Sequence, residues 1–122
     1  LNGLVIGGEM ASIFTKIINR EIPAKIVFED DTCIAFHDIS PQAPVHVVIT
    51  SKKEIRSLAD IEPGDEKILG HMLAATSQIA KKLNIDKNGY RVVINTNDDG
   101  GQTIFQIHMH LLGGRALTWP PG

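Results

Sequence analysis

The sequence predicts an α+β domain in which an antiparallel five-stranded sheet packs against two helices. Three observations lead there. Two stretches carry apolar residues at helical spacing, and five short runs are rich in β-branched residues. Most of the strand-like runs are also joined by connections too short for the crossovers of a doubly wound parallel sheet. The chain has 122 residues, 43% apolar and 21% charged, enough for one core and too few for two ordinary ones. No internal repeat or composition break divides it, so residues 11–122 are read as a single domain. Leu1 to Glu9 lacks a starting methionine and the basic n-region of a signal peptide, so residues 1–10 are read as a leader that is not a signal peptide, with Met10 a candidate natural start.

In chain order, Ser12 precedes Ile13, Phe14, Ile17 and Ile18, an apolar stripe suited to a short helix capped by that serine and stopped before Pro23. Lys25 to Glu29 and Thr32 to His37 read as two strands around the acidic turn Asp30-Asp31. Pro41 and Pro44 bound a loop, after which Val45 to Ile49 is strongly strand-like. A long helix is expected from Pro63 to Leu83. Its buried stripe would hold Ile68, Leu69, Met72, Leu73, Thr76, Ile79, Ala80 and Leu83, with Pro63 in the first turn and His71 as a plain surface histidine. Tyr90 to Asn95 is the fourth strand, Thr96 to Gln102 is turn-rich, and Thr103 to Leu112 is the fifth strand.

Charge and composition exclude several classes of function. A net charge of −2 without a basic block gives no case for nucleic acid or an anionic membrane surface. No apolar run approaches the ~18–20 residues of a membrane span. The single Cys33 cannot form an internal disulfide and sits in the apolar run Cys33-Ile34-Ala35-Phe36, where burial is favoured over reactivity. A reducing compartment fits, with the cytoplasm expected and the nucleus an alternative in a eukaryote.

The chemistry is expected between Gly100 and Arg115. Strand alternation puts Gln106, His108 and His110 on one face and Ile107, Met109 and Leu111 on the other. Two imidazoles two residues apart can act together on a phosphate: one attacks phosphorus while the other donates a hydrogen bond to a phosphoryl oxygen. The bland alternative is two histidines on an exposed strand face. Against it stands Gly100-Gly101-Gln102-Thr103, whose glycines let backbone N–H groups approach a phosphate. His46 reads either as a third site histidine or as a satisfied core residue. Asp38 can take both hydroxyls of a ribose or simply form a turn, and Asn95 at a strand end reads either as a turn residue or as a ligand contact.

These stretches carry a resemblance. Ile22-Pro23-Ala24-Lys25, Phe36 through Pro44, Gly100-Gly101-Gln102, His108-Met109-His110-Leu111-Leu112-Gly113-Gly114-Arg115 and Trp119-Pro120-Pro121-Gly122 together resemble the histidine-triad superfamily, in particular its Hint branch of nucleoside phosphoramidate hydrolases. The similarity runs in order over almost everything from Ile13 onward. It implies hydrolysis of the P–N bond of purine nucleoside 5′-phosphoramidates, such as adenosine 5′-monophosphoramidate, through a nucleotidyl intermediate on His108. It further implies that His110 polarises a phosphoryl oxygen, that His46 is the outlying histidine, and that Thr103 stands near the leaving group. Asp38 would hold the ribose, Phe36 and Ile39 would line the base pocket, and Asn95, Gly101 and Gln102 would meet the phosphate or its surroundings. A homodimer through one continuous sheet is implied too, with Trp119 shaping the partner's pocket.

One position departs from the resemblance. Gln106 stands where the pattern His-x-His-x-His has its first histidine. An amide can hold local geometry but cannot titrate near neutrality. Three other readings are kept beside the phosphoramidase: a dinucleoside polyphosphate hydrolase, a nucleotide-binding or scaffolding protein with weak catalysis, and a zinc module using His46, His108 and His110. No cofactor or metal is expected for the leading reading.

Overall fold

The structure is a computed structural model that describes residues 3–6 and 9–122, with side chains from Ser12 onward. Leu1, Asn2, Gly7 and Gly8 of the expected leader lie outside the described residues. Within the leader and just after it, strands β1 (Gly3–Ile6) and β2 (Glu9–Ser12) pair antiparallel in a small sheet of their own. Next come α1 (Ile13–Ile18), β3 (Ile26–Glu29), β4 (Cys33–His37) and β5 (Val45–Ser51). They are followed by α2 (Asp65–Lys82), β6 (Tyr90–Val93), the single turn α3 (Asn97–Gly100) and β7 (His108–Gly113). The five strands from β3 to β7 form the expected antiparallel sheet in the order β3-β4-β5-β7-β6.

Each helix covers one face of that sheet. Met72, Ala75, Ile79 and Ala80 of α2 pack on Cys33, Ala35, Val47, Ile49, Met109 and Leu111. Burying a large aliphatic side chain here contributes about 1.5–3 kcal/mol. On the opposite face Phe14 and Ile17 of α1 meet Ile34, Phe36 and Val48. Ser12 caps α1 as expected, its Oγ accepting from Thr15 N–H at 3.1 Å. Cys33 is fully buried, as its apolar run implied. Among the described residues no helix is long and apolar enough to cross a membrane.

Several local expectations are corrected. Helix α2 starts at Asp65 because Gly64 takes a left-handed φ of 97°, so Pro63 lies outside the helix. Leu73 falls off the buried stripe, 49% exposed, and Ala75 takes the core position. His71 is exposed yet not idle: its Nε2 lies 2.6 Å from Asp30 Oδ2, tying α2 to the β3–β4 turn. Strand β7 begins only at His108, five residues later than the apolar alternation suggests. The reason is that Ile107 bonds away from a ladder. Its N–H donates to Ile55 O at 2.7 Å and its carbonyl accepts from the Thr50 hydroxyl at 2.8 Å.

Candidate active site

Residues directly opposite in an antiparallel pair share a face. The register Thr50 with His108, Val48 with His110 and Phe36 with Val48 therefore puts both histidines on the α1 face. There they line a cavity of about 480 Å³. Phe36, Asp38, Ile39, Asn95, Gly101 and Thr103 line the same cavity, so eight of the sequence-selected residues converge. The apolar wall also includes Ile13, Phe14, Ile17, Ile22 and Ile104, which sequence reading had left as ordinary core or loop. His46, Asp38 and Ile39 line an adjoining hollow.

The hydrogen bonds around the three imidazoles determine where each proton sits. Gln42 N–H donates to His46 Nδ1 at 3.0 Å, so neutral His46 carries its proton on Nε2. That Nε2–H donates to His110 Nδ1 at 2.8 Å and lies 3.4 Å from Asp38 Oδ2. His110 Nδ1 is thus an acceptor, and neutral His110 carries its proton on Nε2. His108 is the reverse. Its Nδ1 lies 2.8 Å from the Gln106 main-chain oxygen, which can only accept, so Nδ1 holds the proton and Nε2 keeps its lone pair. The rings of His108 and His110 stand 5.0 Å apart, and Phe14 packs edge-on to His108 at 4.8 Å. One imidazole thus offers a nucleophilic nitrogen while its neighbour offers an N–H donor.

Electrostatics keep all three neutral. Burial pushes His110 down to about 4, aided by the nearby His108 and His46, with Asp38 opposing. Burial likewise lowers His46 against the opposing pull of Asp38. It lowers His108 too, where the Gln106 carbonyl and then Asp38 favour the charged form. A neutral His108 is the form that can attack.

The remaining sequence candidates fall elsewhere. Gln102 is buried and does not line the cavity, since its amide is engaged inside the loop. Its Oε1 accepts from Asn97 N–H at 2.9 Å, and its Nε2 donates to Arg56 O at 3.0 Å and Ile104 O at 3.2 Å. It braces the turn that ends at Gly101, whose φ is 81°. Gln106 shares the α1 side with the two histidines, as strand alternation assigned, but does not line the cavity. It lies before β7, and its side chain turns to α1, bonding Ser12, Thr15 and the Ser51 carbonyl. Trp119 is 79% exposed, with Arg91 over its ring. The donor atoms that gather within 4.8 Å near the cavity are those of Asp38, His46 and His110 rather than the three histidines weighed for zinc. Of these, the His46 and His110 nitrogens already bond to each other. Gln42 was missed altogether, because it acts through its main-chain N–H and its side chain gives no signal.

Comparison with known proteins gives a consistent answer. The HIT domain family matches residues 19–117. A HIT-like protein of Synechococcus elongatus is 51% identical over 111 residues, covering 91% of this chain and 96% of that protein. A HIT family hydrolase from Legionella pneumophila superposes with a TM-score of 0.88 at 46% identity, covering 90% of this chain and 98% of the other. A histidine triad nucleotide-binding protein from Candida albicans superposes with a TM-score of 0.76 at 31% identity, covering 88% of this chain and 82% of the other.

Proposed function

This chain belongs to the HIT domain family, and we propose that it hydrolyses the P–N bond of purine nucleoside 5′-phosphoramidates, as the Hint branch of that family does. The observation that carries the reading is the opposite placement of protons on His108 and His110 across one cavity. The nucleoside lies against Phe14, Phe36 and Ile39, with the ribose hydroxyls on Asp38. Lone-pair Nε2 of His108 attacks the α-phosphorus and the P–N bond breaks. The leaving nitrogen takes up a proton from solvent and departs as an amine, leaving a nucleotidyl-histidine. Water then attacks the same phosphorus, the P–N bond to His108 breaks, and a nucleoside monophosphate and a proton are released. Through both steps His110 Nε2–H donates to a phosphoryl oxygen, a type of contact commonly worth about 10²–10³ in rate.

No step needs a metal or cofactor. Strand β6 is an edge strand and Trp119 is exposed, which supports a homodimer joined through one continuous sheet. Dinucleoside polyphosphate hydrolysis is distinguished by competition between the two substrate types. The test of the main reading is incubation with adenosine 5′-monophosphoramidate, rapid quench and mass spectrometry. A nucleotide covalently held at His108, absent in His108→Ala, is expected. Absence of turnover, or unchanged turnover in His108→Ala, overturns it.

A further inference from the structure

Gln106 is more than 9/10 buried, and both ends of its amide are hydrogen-bonded, to α1 and to β5. Its Oε1 accepts from the hydroxyls of Ser12 and Thr15, the latter at 3.0 Å, which fills both lone pairs. Its Nε2 donates to Ser51 O at 3.3 Å. One amide therefore ties the first turn of α1 to the end of β5 and to the segment that enters β7.

What that tie holds is the setting of His108. Helix α1 has six residues, too few to be stable by itself, so its position depends on what it docks against. The Gln106 clamp at its first turn and the Arg20–Glu29 ion pair just beyond its last turn are polar attachments of this segment to the rest of the fold. From α1, Phe14 packs edge-on to the His108 ring. On the other side, Ile107 N–H bonds Ile55 O, and in a trans peptide that turns the Gln106 carbonyl the opposite way, onto His108 Nδ1. Residue 106 thus touches the nucleophile's surroundings twice, through the carbonyl and through α1.

We propose that Gln106 is a positioning residue, whose side-chain clamp on Ser12 and Thr15 holds α1 and the Gln106 carbonyl so that His108 presents Nε2 to the substrate. The claim rests on the reading of His108 as nucleophile. It carries a counterintuitive corollary. The histidine of the family pattern is the poorer residue here, because neutral imidazole has one acceptor lone pair and cannot take both hydroxyls. Gln106→His therefore lowers the rate instead of restoring a triad.

The test follows the His108 ring by nitrogen-15 NMR in the full chain, alongside the rate of nucleotidyl-histidine formation. In wild type the ring is expected to show protonated Nδ1 and bare Nε2. Gln106→Ala and the double variant Ser12→Ala/Thr15→Val are both expected to shift the ring toward a mixture of tautomers. Adduct formation should slow about tenfold, less than the ~10² that an ångström of misplacement costs. Gln106→Glu keeps the two acceptor bonds and should lie between wild type and alanine, with Gln106→His below wild type. Asp65→Ala, which loosens the α2 start far from the cavity, should lower stability and leave the His108 spectrum unchanged. An unchanged spectrum in both clamp variants, or a rate gain in Gln106→His, overturns the proposal. Because the spectrum is read without substrate, a protein that fails to cleave phosphoramidates can still pass or fail this test.

Discussion

Replacing His46 separates the proton chain from the binding pocket. In the folded protein His46 accepts from Gln42 N–H and donates to His110 Nδ1, at 3.0 and 2.8 Å. His46→Leu removes both bonds at a nearly buried position and leaves His110 Nδ1 without its donor. A buried polar group left unpaired costs about 1–3 kcal/mol. If that is lost wholly from transition-state stabilisation, the rate falls roughly 5- to 150-fold. Removing the His110 donor itself sets the upper bound, about 10²–10³. The assay is single-turnover formation of the nucleotidyl-histidine together with equilibrium binding of AMP. Since His46 lines the adjoining hollow and not the cavity that holds His108 and His110, the loss should appear in the rate constant and hardly in affinity. His46→Gln, which can both accept and donate, should recover most of it. A leucine variant that keeps its rate, or loses only affinity, would refute the chain from Gln42 to the phosphate.

Three further outcomes are expected. The folded protein resists protonating His110 until about pH 4, whereas the unfolded chain takes up that proton near 6.5, so unfolding free energy should fall as pH drops across this window. Denaturant titrations that are flat between those values would contradict the buried neutral imidazoles. Burial, with Asp30 adding to it, pushes the Cys33 thiol up to about 12, so a thiol reagent should label unfolded protein promptly and native protein hardly at all. Gly101→Ala forces a side chain onto a backbone with φ of 81°; the space beside it is open, so the expected loss is the ~1–2 kcal/mol of left-handed strain, read as a lower denaturation midpoint.

The fold was legible where local pattern and tertiary packing agree. Val45–Ser51 announces itself by β-branching because it is the central strand, buried on both faces, and α2 by its apolar steps because it buries one face against the sheet. Strand β7 was overextended because Ile104 to Ile107 alternates like a strand while its hydrogen bonds go to Ile55 and Thr50. Alternation reports which side chains are apolar; it does not report where an N–H finds its partner. Alternation put Gln106 on the correct side, yet it could not show that the amide is engaged by Ser12, Thr15 and Ser51 outside the cavity. His108, His110, Asp38 and Gly101 were legible as chemistry-bearing side chains or as required glycines, and the structure gathers them around one cavity. Phe14 was read correctly as apolar but not as a wall of that cavity, since nothing in α1 says that its partner is an imidazole.

The proton positions in the cavity are written by two peptide groups, the N–H of residue 42 and the C=O of residue 106. Almost every substitution leaves a peptide group in place; among the ordinary amino acids only proline would delete the first, and none deletes the second. The instruction that makes one histidine an electron-pair donor and its neighbour a hydrogen donor is thus shielded from most point mutation. Its vulnerability lies in spacing. One residue inserted or lost between Ser40 and His46, or between Phe105 and His108, would turn a peptide away from its imidazole and erase the difference between the two rings while all three histidines were still present.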